Sequence, residues 1–254
     1  MSDFDAFARF YDADYGRFEE DVPFYRELAR RCGGPVVELM CGTGRLLAPL
    51  ARAGHRLTGI DIAPALLARA RDRLVREGLL ERVELLAGDV RDPLPGGPYA
   101  LAIVGLNSLM HLEETDDQLL ALRSVAAALR PGGLLALDLF NPDPRELLRH
   151  NGELVLDKTF ALEGGATVQK FVAQSTDLAR QMVEVSFIYD LLESDGLVRR
   201  TVLPFRMRWL YRYELEHLLA RAGFALEAVY GSYDLDEYDS ASPLMLTVAR
   251  RSAD

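Results

Sequence analysis

The residues best suited to chemistry lie in one short run, Val36-Val37-Glu38-Leu39-Met40-Cys41-Gly42-Thr43-Gly44-Arg45. An apolar strand ends in an acid, a glycine-rich turn follows, and a helix begins. Glycines at such a turn let the backbone approach a ligand in conformations closed to other residues. The first helical turn offers unpaired N–H groups to an anion or carboxylate. Alone, the run also reads as a tight strand-to-helix turn with no ligand. Two further acids alter that reading. Asp61 ends Gly59-Ile60-Asp61, and Asp89 follows Ala87-Gly88. A carboxylate closing the second strand of an open α/β sheet is placed to accept the hydroxyls of a ribose. One closing the third strand can accept from an adenine amino group. Each acid alone is more simply a cap or a solvated turn. Three such features at the carboxyl ends of adjacent strands point to a nucleotide-like ligand.

The flanking elements repeat in a way that positions these residues. Asp21 and Pro23 open a helix carrying Phe24, Leu28 and Arg31 that stops at Gly33-Gly34, with Asp21 expected as N-cap. After Val36–Leu39 comes a helix reaching about Ala53, which Pro49 is expected to distort. Strands are expected at Arg56–Ile60, Val83–Ala87, Tyr99–Leu106 and Leu134–Leu139. Helices are expected from Pro64 to Glu77 and from a capping box at Thr115–Gln118 to Leu129. This alternation means βαβ units and a mostly parallel sheet covered on both faces. From Glu153 to Trp209 the period changes to two. Four extended segments, Glu153–Phe160, Thr167–Thr176, Gln181–Leu192 and Leu197–Trp209, are separated by turns at Gly164-Gly165 and Ser194-Asp195-Gly196. Val183, Val185, Phe187 and Tyr189 share one face. The chain then returns to a helix at Tyr211–Ala222 and strands at Ala225–Gly231 and Leu244–Arg250.

Glu38–Gly44, Gly59–Pro64, Gly88-Asp89-Val90 and Leu129–Gly133 together resemble, in order, the motifs of the class I S-adenosylmethionine-dependent methyltransferases. The resemblance covers about 1–140 and 211–250. It implies an α/β fold: a Rossmann-like seven-stranded, mostly parallel sheet with helices on both faces, plus an antiparallel sheet inserted after strand five. It assigns 1–150 and 210–254 to the cofactor-binding domain, with 1–34 as a helical cap, and 151–209 to a substrate lid or a contact in a homodimer. It implies S-adenosylmethionine as cofactor and S-adenosylhomocysteine as product. Glu38, Cys41, Gly42, Gly44 and Arg45 then surround the methionine arm, Asp61 holds the ribose, Ile62 and Leu66 flank the adenine, and Asp89 with the Val90 amide reads its edge. Leu106 offers a carbonyl to the amino group. Met40 stands where the family usually has glycine, so it must point away from the cofactor or narrow the site. The layout is similar to the aminosugar and glycine N-methyltransferase branch. There Tyr11-Asp-Ala-Asp-Tyr15 resembles an aromatic lid segment, placing Tyr15 on the cofactor and Tyr11 on cofactor or acceptor. His111 is a candidate base. Asn107, Phe140, Asn141 and Tyr233 are candidates for the acceptor pocket.

Composition narrows the function classes. The chain has 254 residues with 29 Lys+Arg and 39 Asp+Glu, a net charge of −10. That excess of acid argues against nucleic acid and anionic membranes as partners and leaves a small-molecule acceptor. No apolar run reaches the ~18 residues of a membrane span. MSDFDAFARF is mixed and acidic rather than basic-then-apolar, so a cytoplasmic protein is expected. Two cysteines nine residues apart and four scattered histidines argue against disulfides and metal sites. Position 47 is Leu, not the third glycine of a dinucleotide fingerprint, which weighs against the alternative of an NAD(P)-dependent oxidoreductase. A cofactor-binding module without catalysis is the remaining alternative.

Overall fold

The computed structural model describes residues 3–16, 18–162, 165–193 and 195–252, with side chains from residue 8 onward. Two helices come first, α1 (Asp3–Tyr15) and α2 (Val22–Cys32). Then come β1 (Val36–Leu39), α3 (Leu47–Arg52), β2 (Leu57–Asp61), α4 (Pro64–Arg76), β3 (Val83–Ala87), β4 (Tyr99–Val104), α5 (Thr115–Ala128) and β5 (Leu129–Phe140). A short α6 (Pro144–Leu148) leads into β6 (Leu154–Ala161), β7 (Thr167–Asp177), β8 (Met182–Leu192) and β9 (Val198–Arg208). Then follow α7 (Arg212–Arg221), β10 (Phe224–Tyr230) and β11 (Leu244–Arg251).

The first sheet has seven strands in the order β10-β11-β5-β4-β1-β2-β3. The neighbours from β5 to β3 run parallel; β11 is antiparallel to both β5 and β10. β1, β2 and β4 are buried at every position, which is why they read as apolar runs rather than alternations. Alternate residues still serve opposite faces. Val37, Leu39, Ala102 and Val104 join α5 and α7 in one core, while Val36, Leu101 and Ile103 join α2, α3 and α4 in the other.

Three helix starts differ from expectation. Asp21 has αR backbone and makes no cap bond; its carboxylate instead takes the Arg45 guanidinium at 2.7 and 2.5 Å, a stronger partner than a backbone amide. Thr115 is already inside α5, whose N-cap is Glu114, and Gln118 donates its amide to the Leu112 carbonyl at 2.9 Å, so no capping box forms. Pro49 falls in the first turn of α3, where its missing N–H breaks nothing; α3 spans only Leu47–Arg52, and the residues before it form turns rather than α-helix.

The second sheet, β6-β7-β8-β9, is antiparallel throughout. Gly164 and Ser194 of its expected turns lie outside the described residues, as do Met1, Ser2 and Arg17 of the expected cap. Its alternation has the foreseen consequence. Val183 and Val185 enter the main core, while Val168, Tyr189, Leu191 and Leu203 form a smaller core with Phe10 of α1. Phe10 stacks on Tyr189 with centroids 4.3 Å apart and planes 2° from parallel. Beside this stack Asp14, fully buried, accepts from the Tyr189 hydroxyl at 2.7 Å and pairs with Lys170 at 3.0 Å and with Lys158. Lys170 also meets Asp157 at 3.2 Å and is 3% exposed. On the other side of α1, Asp12 takes Arg73 and the Thr43 hydroxyl, each at 2.7 Å.

Breaking a buried ion cluster by deleting one member leaves an uncompensated charge. Lys170→Met should therefore lower stability by on the order of 2–4 kcal/mol. Urea unfolding of this variant beside the native chain measures it; a loss below ~0.5 kcal/mol would show that the cluster does not secure α1.

Candidate active site

The carboxyl ends of β1, β2 and β4, the underside of α1 and the inner face of the second sheet enclose a cavity of about 990 Å³. Of the residues expected there from the sequence, Tyr11, Tyr15, Met40, Gly42, Asp61, Ile62, Leu66, Leu106, Asn107 and His111 line it.

The glycine-rich turn is held by Asp61. One carboxylate oxygen accepts the Gly42 amide and the other the Ala63 amide, both at 2.8 Å, so the turn after β1 is tied to the start of α4. Gly42 is left-handed (φ 55°), and a Cβ added there would stand 3.6 Å from the Tyr11 ring. Gly44 (φ 70°) serves packing instead: an added Cβ would lie 3.2 Å from Ala70 of α4. Met40 is also left-handed at φ 54°. This explains why glycine suits the position, and the half-buried Met40 side chain narrows the cavity rather than avoiding it.

Glu38 sits behind this turn, buried, with Oε2 lacking a hydrogen-bond partner. Burial, only partly offset by Arg45, pushes its carboxyl up to about 8. A buried acid with an unsatisfied oxygen fits a nearby ammonium group. Arg45 does not face the cavity; its guanidinium is spent on Asp21 and on the Phe18 carbonyl at 2.8 Å, fastening the segment before α2 to the turn. Cys41 is a buried packing residue whose thiol burial pushes up. Asp89 and Val90 also lie outside the cavity wall. Arg91 grips Asp89 through its guanidinium and backbone amide and holds the carboxyl below its usual range; Val90 is packed in the core.

At the end of β4, Leu106 and Asn107 are consecutive left-handed residues, φ 49° and 62°. Asp138 of β5 holds them: its side chain accepts the Leu106 amide at 3.1 Å and its carbonyl the Asn107 amide at 2.9 Å. The Tyr233 hydroxyl donates to the same carboxylate at 2.5 Å. Tyr233 is thus behind the wall, positioning it rather than meeting a ligand. Phe140 packs against the main core and donates its amide to Asn107 Oδ1 at 2.6 Å. Asn141 is bonded to Ser242 and Tyr238 in a separate surface groove. None of these three lines the cavity, because the side chains of Tyr233 and Asn141 are bonded elsewhere and Phe140 packs into the main core.

His111 lines the far half against Phe205, centroids 5.4 Å apart. Burial pushes its ring down to about 4, although it donates to the Arg206 backbone. Phe187, Phe205, Leu203 and Met207 of the second sheet complete this half. The sequence signals these residues only through their alternation. Ser108 and Glu113, also on the wall, carried no signal of their own.

A methyltransferase domain model matches residues 36–133. The cypemycin N-terminal methyltransferase of a Streptomyces species is 30% identical over 219 residues, 86% of this chain and 84% of that protein. The chain belongs to the S-adenosylmethionine-dependent methyltransferases. That membership sets aside the oxidoreductase reading. The CcbJ methyltransferase of Streptomyces caelestis shares the fold over the full length of both chains (TM-score 0.83, 23% identity). CalS10, an amino pentose methyltransferase of Micromonospora echinaspora solved with S-adenosylmethionine, shares it over 93% of this chain and 94% of its own (TM-score 0.70, 22% identity).

Two outcomes test the cofactor half. Asp61→Ala should weaken S-adenosylhomocysteine binding by on the order of 2–3 kcal/mol, since bonds to a charged group are the strong ones; unchanged calorimetric affinity in the folded variant would remove Asp61 from the site. Glu38 is protonated in the folded state up to about pH 8 but ionises near its ordinary value when unfolded. The folded state then binds more protons between those values, and stability falls as pH rises across the window by up to about 1.4 kcal/mol per unit. Denaturant titrations of the ligand-free protein at pH 5 and 8 should show that fall, and Glu38→Gln should lack it.

Proposed function

We propose that this methyltransferase acts on the nitrogen of an amine in a small molecule. In this reading 1–150 with 210–254 form the cofactor-binding domain and 151–209 is the wall over the acceptor. The observation that carries nitrogen over oxygen is the weakness of the bases on the far wall. Burial holds the Tyr11 and Tyr15 phenols well above their ordinary range, so they stay protonated. His111, pushed down to about 4, is too weak to take a proton from an alcohol. A neutral amine attacks without such help. The N-terminal methyltransferase named among the relatives supports the same atom type.

When bound, S-adenosylmethionine supplies a methyl on a sulfonium, which passes to the amine lone pair as the carbon–sulfur bond breaks, leaving S-adenosylhomocysteine and a proton that goes from nitrogen to solvent. Asp61 would hold the ribose, Ile62 and Leu66 the adenine, and Glu38 would balance the ammonium of the methionine arm beside Met40, Gly42 and Leu106. Tyr11 roofs that arm from α1. Asn107 and His111 would then orient the acceptor, so that positioning supplies much of the rate.

No described helix is long and apolar enough to cross a membrane. A cytoplasmic site of action rests on the free thiols Cys32 and Cys41. The charge of −10 disfavours nucleic acid as acceptor. The outer face of the second sheet carries Leu156, Phe171, Ile188 and Val202, partners across all four strands, with Leu156 and Val202 about half exposed. Its neighbouring charges Asp190 and Arg200 neutralise each other at 2.7 Å. On an acidic chain, a neutral apolar face is where a second copy can approach without repulsion, and we assign a homodimer contact there.

Two measurements follow. Because His111 is neutral above about pH 5, His111→Gln should leave the shape of the kcat/KM profile unchanged between pH 6 and 9; a displaced acid limb would make His111 the base. Val202→Lys with Leu156→Lys should sediment as monomer while the native chain sediments as dimer; a monomeric native chain would end the dimer assignment.

A further inference from the structure

The methyl-transfer reading leaves open which atoms of the acceptor the cavity recognises besides its nitrogen. The second sheet gives a mixed answer, since Ser175, Glu184, Ser186 and Arg206 line the cavity along with Phe187 and Phe205. A hydroxyl or a long charged side chain can re-aim itself to suit a ligand. Asn107 cannot. Its backbone amide donates to the Asp138 carbonyl and its carbonyl accepts the Met110 amide, each at 2.9 Å. Its side-chain Oδ1 accepts the Phe140 amide at 2.6 Å. A backbone N–H only donates, so the oxygen end of the carboxamide has to face Phe140. Nδ2 is then the one polar atom of Asn107 with no bond among the described residues.

The direction of Nδ2 follows from what holds the rest of the residue. Phe140 packs into the main core, whereas Asn107 is half-buried on the cavity wall. The two ends of a planar carboxamide point apart, so Nδ2 is the end left for the cavity. The backbone cannot swing it away, because the Asp138 carboxylate that accepts the Leu106 amide at 3.1 Å is itself held by the Tyr233 hydroxyl. The Nδ2 hydrogens only donate. A donor aimed at the acceptor nitrogen would hold the lone pair that has to attack the methyl carbon. These hydrogens therefore need another partner on the acceptor, and an oxygen supplies it. A buried donor left unpaired weakens binding by roughly 5- to 150-fold, so this one bond discriminates.

We propose that Asn107 determines acceptor specificity as a fixed hydrogen-bond donor, selecting amines that carry an accepting oxygen two or three bonds from the nitrogen. The short spacing comes from the chain: Leu106, placed beside the methionine arm, is the preceding residue, and consecutive Cα atoms lie about 3.8 Å apart. Ether, carbonyl, carboxylate and hydroxyl oxygens all meet the requirement, since each accepts. Asparagine also tolerates left-handed backbone better than most residues, so a purely conformational role is the alternative. Glycine separates the two, because it suits the φ of 62° and carries no amide.

This inference rests on the methyl-transfer reading, and the test separates the two. The probes are trans-2-methoxycyclohexylamine and trans-2-ethylcyclohexylamine, which differ only by an ether oxygen in place of a methylene. Each is given to the enzyme with S-adenosylmethionine at about pH 8.5, and each is titrated calorimetrically into the enzyme loaded with S-adenosylhomocysteine. The quantity read is the ratio of the ether to its carbon isostere in kcat/KM or in affinity. The intrinsic difference between the two amines cancels when variants are compared with the native chain. Asn107→Gly should lower the ratio at least about fivefold, the lower end of the cost of an unpaired donor. Asn107→Asp keeps an oxygen for the Phe140 amide but turns an ionised oxygen to the cavity at that pH, so it should lower the ratio further. S-adenosylhomocysteine affinity should stay within about twofold in both variants. A ratio unchanged in both variants would reduce Asn107 to its backbone conformation and overturn the proposal. So would a loss of S-adenosylhomocysteine affinity matching the fall in kcat/KM, which gives the donor to the cofactor, or failure of the ether amine both to react and to bind. Failure of the native chain to bind S-adenosylhomocysteine at all would instead overturn the methyl-transfer reading.

Discussion

Helix α1 has to lie between two bodies, and the cavity exists because opposite charges and one aromatic stack hold it there. Its carboxylates point two ways. Asp14 is buried among Lys170, Lys158 and Tyr189 on the second sheet, while Asp12 meets Arg73 and Thr43 on the methyltransferase core. The partners of Asp14 are not replaceable by solvent without cost, since a buried carboxylate needs them. Phe10 adds the apolar anchor. With α1 fixed, Tyr11 lies over Gly42 and Tyr15 on the cavity wall. The inserted sheet therefore both lines the cavity and anchors the helix that carries Tyr11 and Tyr15 onto its wall.

A second constraint comes from the backbone. Met40, Leu106 and Asn107 are three of the five described non-glycine residues with left-handed φ, and all three line this cavity. Such conformations cost of order 1 kcal/mol or more each and persist only where the surroundings over-determine them. Here Asp138 supplies that: it holds both residues after β4 and is itself held by Tyr233. Burial raises the Asp138 carboxyl, and the two hydrogen bonds work against that rise.

Electrostatics divides the cavity into unlike halves. Near the turn after β1 lie Asp61 and the buried Glu38, suited to hydroxyls and a cation. Across from them the His111 ring is held neutral and the second sheet presents aromatic and aliphatic groups.

Much of this was legible in the chain. Apolar runs, glycine stops and the switch from a helical to a two-residue period determined the strands of both sheets to within about two residues, because those signals are local; β5 is the exception, beginning at Leu129 and running through Pro131-Gly132-Gly133 rather than starting at Leu134. The ends of β1 and β2 likewise placed Gly42 and Asp61 on the cavity, since a strand's carboxyl end is where such sheets bind. Partner choice was not legible. By position Arg45 points to a ligand, yet it pairs with Asp21; Asp89 points to adenine, yet Arg91 grips it; Asn141 and Tyr233 point to the pocket, yet they lie beyond or behind it. Asp12 and Asp14 carried no signal beside their tyrosines. A charged side chain goes to whichever opposite charge or amide lies nearest once the chain is packed, and for Asp14 that partner, Lys170, is 156 residues away along the chain. Local sequence specifies which groups are present and on which element; only the tertiary structure decides which of them are already bonded, and so which remain to face a ligand.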